Sequence, residues 1–164
     1  MIKVGFLVSY DFKYLYKSIP LVYNEADLII LAVDKNRETW SGNALIIDNS
    51  FFDWIKEFDT KNKTTIYEDT FYIAENSPAE NDTRERNLLA KAMGHGGWHI
   101  QIDSDEYFNN FKSFTDFLKK NNHYLSNPEA NPVEIHVQWI TLFQKVEGGF
   151  LYIKDSLDAI EVAT

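Results

Sequence analysis

Three acids within four residues, Asp103, Asp105 and Glu106, close an otherwise apolar stretch, Gly97-Trp98-His99-Ile100-Gln101-Ile102-Asp103-Ser104-Asp105-Glu106. Carboxylates crowded that closely repel one another unless a cation or a protonated partner neutralises them. Hard oxygen ligands of this kind suit magnesium, manganese or calcium. The pair Asp103 and Asp105 is therefore a candidate site for a divalent metal and a phosphate. Arg84 and Arg86 precede it by less than two dozen residues. A guanidinium fork pairs with phosphate oxygens, so a diphosphate lying between the arginines and the acids would satisfy both. The plainer alternative is a salt-bridged helix face shared with Glu85.

The acids need an element to carry them. Trp98, Ile100 and Ile102 alternate with His99, Gln101 and Asp103, a period of two in residues that favour strands. Two earlier apolar runs end in a similar way. Residues 2–9 form a first strand that closes at Ser9-Tyr10-Asp11, and residues 27–34 form a second that closes at Asp34. Runs this continuously apolar belong to strands covered on both faces.

Helical patterns separate the strands. Residues 12–23 place Phe12, Leu15, Tyr16, Ile19 and Val22 at helical spacing, with Pro20 disturbing the last turn. After a polar loop, which holds a short strand at Leu45-Ile46-Ile47, Asp48 or Ser50 caps a helix over 51–59. A strand follows over 64–73 and a loop over 76–81. Asp82-Thr83-Arg84-Glu85 then reads as a capping box opening a helix over 83–93, with Leu88, Leu89, Ala92 and Met93 inward and Gly94 as its stop. Beyond the acids come an amphipathic helix over 107–121, a polar loop, and two strands over 133–144 and 149–153 joined by a turn at Val146-Glu147-Gly148-Gly149.

The order strand, helix, strand, helix, strand, helix, strand implies an α/β three-layer sandwich with a mostly parallel central sheet, plus a C-terminal β-hairpin. At 164 residues it is expected to be one domain. Ligands of open sheets sit outside the carboxyl ends of the strands. Those ends bring Tyr10 and Asp11, Asp34, and Asp103 and Asp105 toward one region.

Composition narrows the partners. With 25 acidic against 16 basic residues the net charge is −9, which disfavours a nucleic-acid face. The absence of cysteine excludes disulfides, thiolate ligands and cysteine nucleophiles. No apolar run reaches the length of a membrane span, and the amino terminus does not resemble a signal peptide, so a cytoplasmic protein is expected. The two glycosylation sequons, at Asn62 and Asn81, then read as chance matches. His95 and His99 are four apart, but Gly94, Gly96 and Gly97 break any helix that would align them. The same loop follows a helix and does not open one, so it lacks the dipole of a phosphate cradle.

The run Phe6-Leu7-Val8-Ser9-Tyr10, the strand ending at Asp34, and Arg86-Asn87-Leu88-Leu89-Ala90 leading into Trp98 through Asp105 resemble the family 2 (GT-A fold) glycosyltransferases. The resemblance covers about residues 2–110. It implies a nucleotide-diphospho-sugar transferase-like fold and a donor such as a UDP- or GDP-sugar, with a glycan or other acceptor. Ser9, Tyr10 and Asp34 would contact the nucleotide, Tyr10 and Asp34 at base and ribose, and Arg86 would approach the diphosphate. Asp103 would face the ribose or the metal, and Asp105 would ligate Mn2+ or Mg2+. Family members usually continue further beyond this motif, so the resemblance implies a chain lacking its C-terminal part and with it the catalytic base. No residue between 107 and 164 is singled out as the base; Glu134 and Asp155 are acids in that stretch that could serve. Two other enzyme classes use paired acids. A nucleotidyltransferase normally has a glycine-rich loop after the first strand, where Ser9-Tyr10-Asp11-Phe12 has none. A haloacid-dehalogenase-type phosphatase carries its acids on the first strand. A non-catalytic module binding metal or sugar nucleotide is the alternative outside enzymes.

Overall fold

A computed structural model describes residues 1–152 and the backbone of residues 159–163. Four parallel strands form its centre: β1 (Ile2–Val8), β2 (Leu28–Asp34), β3 (Thr64–Asp69) and β4 (Trp98–Asp103), in the spatial order β3-β2-β1-β4. Every residue of β1 is buried, as its continuous apolar run requires of a strand covered on both sides.

The two faces are covered by different helices. Val4, Phe6 and Val8 of β1, Ile29, Leu31 and Val33 of β2, and Trp98, Ile100 and Ile102 of β4 share one core. Against them pack α1 (Leu15–Tyr23), α2 (Asn49–Phe58) and α4 (Phe111–Lys120). Leu7, Ile30 and Ala32 face the other way and meet Leu89 and Met93 of α3 (Pro78–Met93). The result is helix, sheet, helix: three layers around a parallel sheet. Each large side chain so buried contributes roughly 1.5–3 kcal/mol.

Helix placement follows from handedness. The steps from β1 to β2 and from β2 to β3 run in one direction across the sheet. The step from β3 to β4 returns past β1. Right-handed crossovers then place α3 on the face opposite α1 and α2. The strand order therefore reverses between β1 and β4, which opens a crevice at their carboxyl ends.

Beyond α4 the chain makes β5 (Ile135–Gln138), β6 (Leu142–Val146), β7 (Gly149–Tyr152) and β8 (Ala159–Ala163). β8 lies antiparallel beside β4 and β5 beside β8, extending the sheet to six strands. Among the described residues β6 and β7 pair with each other alone, the expected hairpin. The expected strand over 133–144 is thus two strands in different sheets. The expected end of the second hairpin strand, Ile153, lies outside the described residues.

Five local expectations need correcting. The capping box of α3 is Ser77 with Glu80, not Asp82 with Glu85: the Ser77 hydroxyl accepts from the Glu80 N–H, and Pro78 occupies the first helical position. The helix α4 starts at Phe111 and not at 107, because Asn110 caps it by accepting from Ser113 N at 2.9 Å. β3 stops at Asp69, since the Thr70 N–H donates to the Asp69 side chain and those of Phe71 and Tyr72 to Asp34. Leu45–Ile47 carries no strand; only an isolated bridge, Glu38 to Ala44, forms in that loop. Helix α1 also runs through Pro20 to Tyr23.

Candidate functional site at the β1–β4 crevice

Register sets the site. Leu7 lies opposite Asp103, so the residues after each strand emerge side by side. Ser104, between the two acids, is buried and donates its hydroxyl to the Leu7 carbonyl at 2.7 Å. That bond fixes the β4 lip to the β1 lip. Glu106 folds back, its Oε2 accepting from Asp103 N at 2.9 Å. The loop from 104 to 110 therefore wraps the strand end and does not begin a helix.

The electrostatics are dominated by carboxylates. Burial pushes the Asp11 carboxyl up, with repulsion from Asp105 and Asp103 adding to it, and Asp11 Oδ1 is buried without a hydrogen-bond partner. Burial likewise raises Glu106, with Asp103 and Asp105 again contributing. One cation opposes them: Arg86 donates from Nε to Asp82 Oδ1 and from Nη2 to Asp103 Oδ1, both at 2.8 Å. Burial works against its charge, but Asp103 and Asp82 outweigh that and raise its pKa. Arg84 is turned elsewhere, toward the Thr70 carbonyl at 3.3 Å. Among the described residues, no three His, Asp or Glu side chains stand close enough to hold a metal by themselves.

Beside the acids, on the β2 side, lies a cleft of about 320 Å³. Ser9 and Tyr10 form one side of it, and Thr39, Trp40, Ser41, Asn43 and Ala44 the other. Tyr10 is 78% exposed and free to offer its ring. Of the expected nucleotide contacts, Ser9 and Tyr10 thus line a cavity.

Asp34 does not. It is buried, and its two oxygens accept from four backbone N–H groups: Asn36 at 2.8 Å, Glu38 at 3.1 Å, Phe71 at 2.8 Å and Tyr72 at 3.3 Å. A carboxylate has about four acceptor sites, so this set fills it. The expected contact to a base or ribose is replaced by a structural one, in which Asp34 ties the loop after β2 to the segment after β3.

Of the acids considered as a base, Glu134 is exposed and sits 3.4 Å from His136 Nε2, while Asp155 lies outside the described residues. The glycine loop at 94–97 serves Lys3, whose Nζ donates to the Gly94 and His95 carbonyls at 2.9 Å each.

Sequence reasoning missed Trp40, Asn81, Glu85 and Ser104. The buried face of α3 is Asn81, Glu85, Leu89 and Met93. A strict spacing of four residues was the available signal, with two polar residues continuing an apolar stripe. No helix among the described residues is long and apolar enough to cross a membrane. No protein-family model matches the chain, and no curated protein matches it significantly, so the site must be read from its own geometry.

Proposed function

We propose that the chain binds a nucleotide-diphospho-sugar, such as a UDP- or GDP-sugar, at the carboxyl ends of β1 and β4 and acts as a GT-A glycosyltransferase of hexosyltransferase type. The observation that carries the reading is the meeting of Tyr10 and Asp11 with Asp103 and Asp105 at the point where the strand order reverses. Polar and aromatic walls beside an acidic lip suit a ligand with a planar base at one end and a diphosphate at the other.

The donor set fits Mn2+ or Mg2+ in one particular mode. Magnesium usually binds through one or two carboxylates together with substrate phosphates, keeping several waters. Asp103 and Asp105 supply such carboxylates, and Asp11, whose Oδ1 has no partner and whose carboxyl is pushed up by burial and by these two acids, sits in the same crowded acidic field. A metal bound there supplies Lewis-acid stabilisation of the departing nucleoside diphosphate. The residues of the chain do the rest. Tyr10 and Ser9 hold the nucleotide in the cleft. Ser104 keeps the two lips in register. Arg86 holds Asp103 in place, and its guanidinium would meet the charge of a diphosphate bound over that acid.

The test is calorimetric titration with UDP and GDP, with Mn2+ and with chelator. Metal-dependent binding, lost in Asp105→Ala and not matched by ATP, is expected. Absence of binding by either nucleotide with metal present sinks the donor site. Binding without transfer or hydrolysis of a sugar nucleotide would leave a non-catalytic sugar-nucleotide module.

A further inference from the structure

α3 reaches the cleft through one tryptophan. Trp40 Nε1 donates to Glu85 Oε2 at 2.6 Å, and Asn81 Nδ2 donates to the Trp40 carbonyl at 3.0 Å. The ring and the main chain of the same residue are therefore both held by one helix. Asn81 is itself locked: it is fully buried, its Oδ1 accepts from Ile73 N at 3.1 Å and Asn76 Nδ2 at 3.2 Å, and its Nδ2 also donates to Ile73 O at 3.2 Å.

Glu85 is harder to explain as packing. It is buried, its Oε1 has no partner, and its one hydrogen bond goes to Trp40. A buried acid with an orphaned oxygen costs stability, so an apolar side chain would serve the core better. Burial pushes this carboxyl up to about 8 despite the Trp40 bond; Asp82 and Asp34 raise it too and Arg86 opposes them. What Glu85 provides is an acceptor at the indole nitrogen.

The turn that carries Trp40 is braced by hydrogen bonds and by packing. Thr39 N donates to Asn43 O and Gly42 N to Thr39 O, each at 2.8 Å. Gly42 has φ +75°, and a Cβ there would lie 2.5 Å from the Tyr72 hydroxyl, so the turn packs directly on the segment after β3. A half-buried indole that is bonded at Nε1 to Glu85, packed against the core under α3 and part of the lining of a cleft with an exposed tyrosine can serve as a stacking wall.

We propose that Trp40 is the wall of the cleft that recognises a planar heteroaromatic ring, and that Glu85 and Asn81 are positioning residues that hold it there. The ring is the base of the donor nucleotide, so this inference rests on the donor reading. Base stacking on aromatic side chains tolerates any base. Edge selection then falls to the polar groups of Ser9, Thr39 and Asn43.

Two arms separate the inference from the reading it rests on. In the ligand-free protein, the indole N–H resonance of Trp40, assigned with Trp40→Phe, is compared among wild type, Glu85→Gln and Glu85→Ala. Glu85→Gln keeps an acceptor and should leave the resonance near its place, whereas Glu85→Ala should move it. An unmoved resonance in Glu85→Ala overturns the positioning role whatever the ligand. In the second arm, UDP and GDP are titrated with Mn2+. Trp40→Ala should weaken binding about tenfold or more and Trp40→Phe by less. Glu85→Ala should weaken it several-fold, and Glu85→Gln should restore it to about wild-type affinity. Wild-type affinity in Trp40→Ala overturns the wall while the donor site stands. No nucleotide binding by the wild type overturns the donor reading and the wall together, and the first arm still decides the positioning role.

Discussion

Arg86 Nη2 donates to Asp103 Oδ1 across 2.8 Å while Arg86 Nε donates to Asp82 Oδ1 across 2.8 Å, so one guanidinium fastens α3 to the end of β4. The side chains of Arg86 and Asp103 are each 35% exposed, which limits the value of the pair through solvent screening. Removing the cation also leaves two acids facing each other. Arg86→Ala should therefore cost about 1–2 kcal/mol, and a cycle with Asp103→Asn should give a coupling of roughly 0.5–1.5 kcal/mol. Arg86→Lys should recover only part, because an ammonium cannot reproduce the two-armed geometry. Urea unfolding measures all three, and a curve for Arg86→Ala that overlays wild type would show that the bridge has no net value.

Asp34 predicts a different kind of loss. Its four accepted N–H groups are left without a partner in Asp34→Ala, and two of those groups, Phe71 and Tyr72, anchor the start of the segment leading to α3. The expected cost is about 3 kcal/mol or more, equivalent to a Tm lower by roughly 6–12 °C at this chain length. Hydrogen exchange should quicken at Asn36, Glu38, Phe71 and Tyr72 with no ligand present. Unchanged exchange at those amides would return Asp34 to the role of a ligand contact.

How legible these roles were in the sequence depends on burial. β1, β2 and β4 could be read nearly to the residue, because strands buried on both faces or alternating cleanly leave a strong pattern. Tyr10, Asp11, Asp103 and Asp105 were readable as strand-end residues for the same reason. Asp34 was legible in position but not in use: a strand-end acid facing solvent and one turned inward onto backbone N–H groups have the same local sequence. The start of α3 was ambiguous because Ser77 and Asp82 each have a glutamate three residues on; Pro78 at the first helical position decides between them. Trp40 and Glu85 lie 45 residues apart, and nothing local to either announces the bond.

The approach of α3 to the sheet gives a packing prediction. A Cβ built on Gly5 lies 2.8 Å from Leu89 Cδ2 and 2.9 Å from Leu89 Cγ, so β1 and α3 are as close as a glycine permits. Gly5→Ala should cost about 1–3 kcal/mol through the forced shift of Leu89. Leu89→Ala should cost about 2–5 kcal/mol through the cavity it leaves. The double variant should cost less than the sum, since the new methyl enters that cavity. Strict additivity in urea unfolding would show that the two sites do not share the space.

Glu85 makes stability depend on pH in a direction that can be worked out. Burial raises its carboxyl from 4.5 to about 8, so the folded chain keeps a proton that the unfolded chain releases. The stabilising linkage is complete below the unfolded pKa, declines as pH rises, and is gone once pH passes the folded value near 8. A tenfold difference in proton affinity between the folded and unfolded chains is worth about 1.4 kcal/mol. Glu85→Gln is neutral throughout and still offers an acceptor to Trp40, so it removes this slope alone. Its stability relative to wild type should rise between pH 5 and pH 9, by on the order of 2–4 kcal/mol. Subtracting the two proteins cancels the titrating groups that do not interact with Glu85, leaving Glu85 and its coupling to Asp82, Asp34 and Arg86. Urea unfolding at pH 5, 7 and 9 gives the difference directly, and one that stays constant across that range would mean that Glu85 is already ionised in the fold.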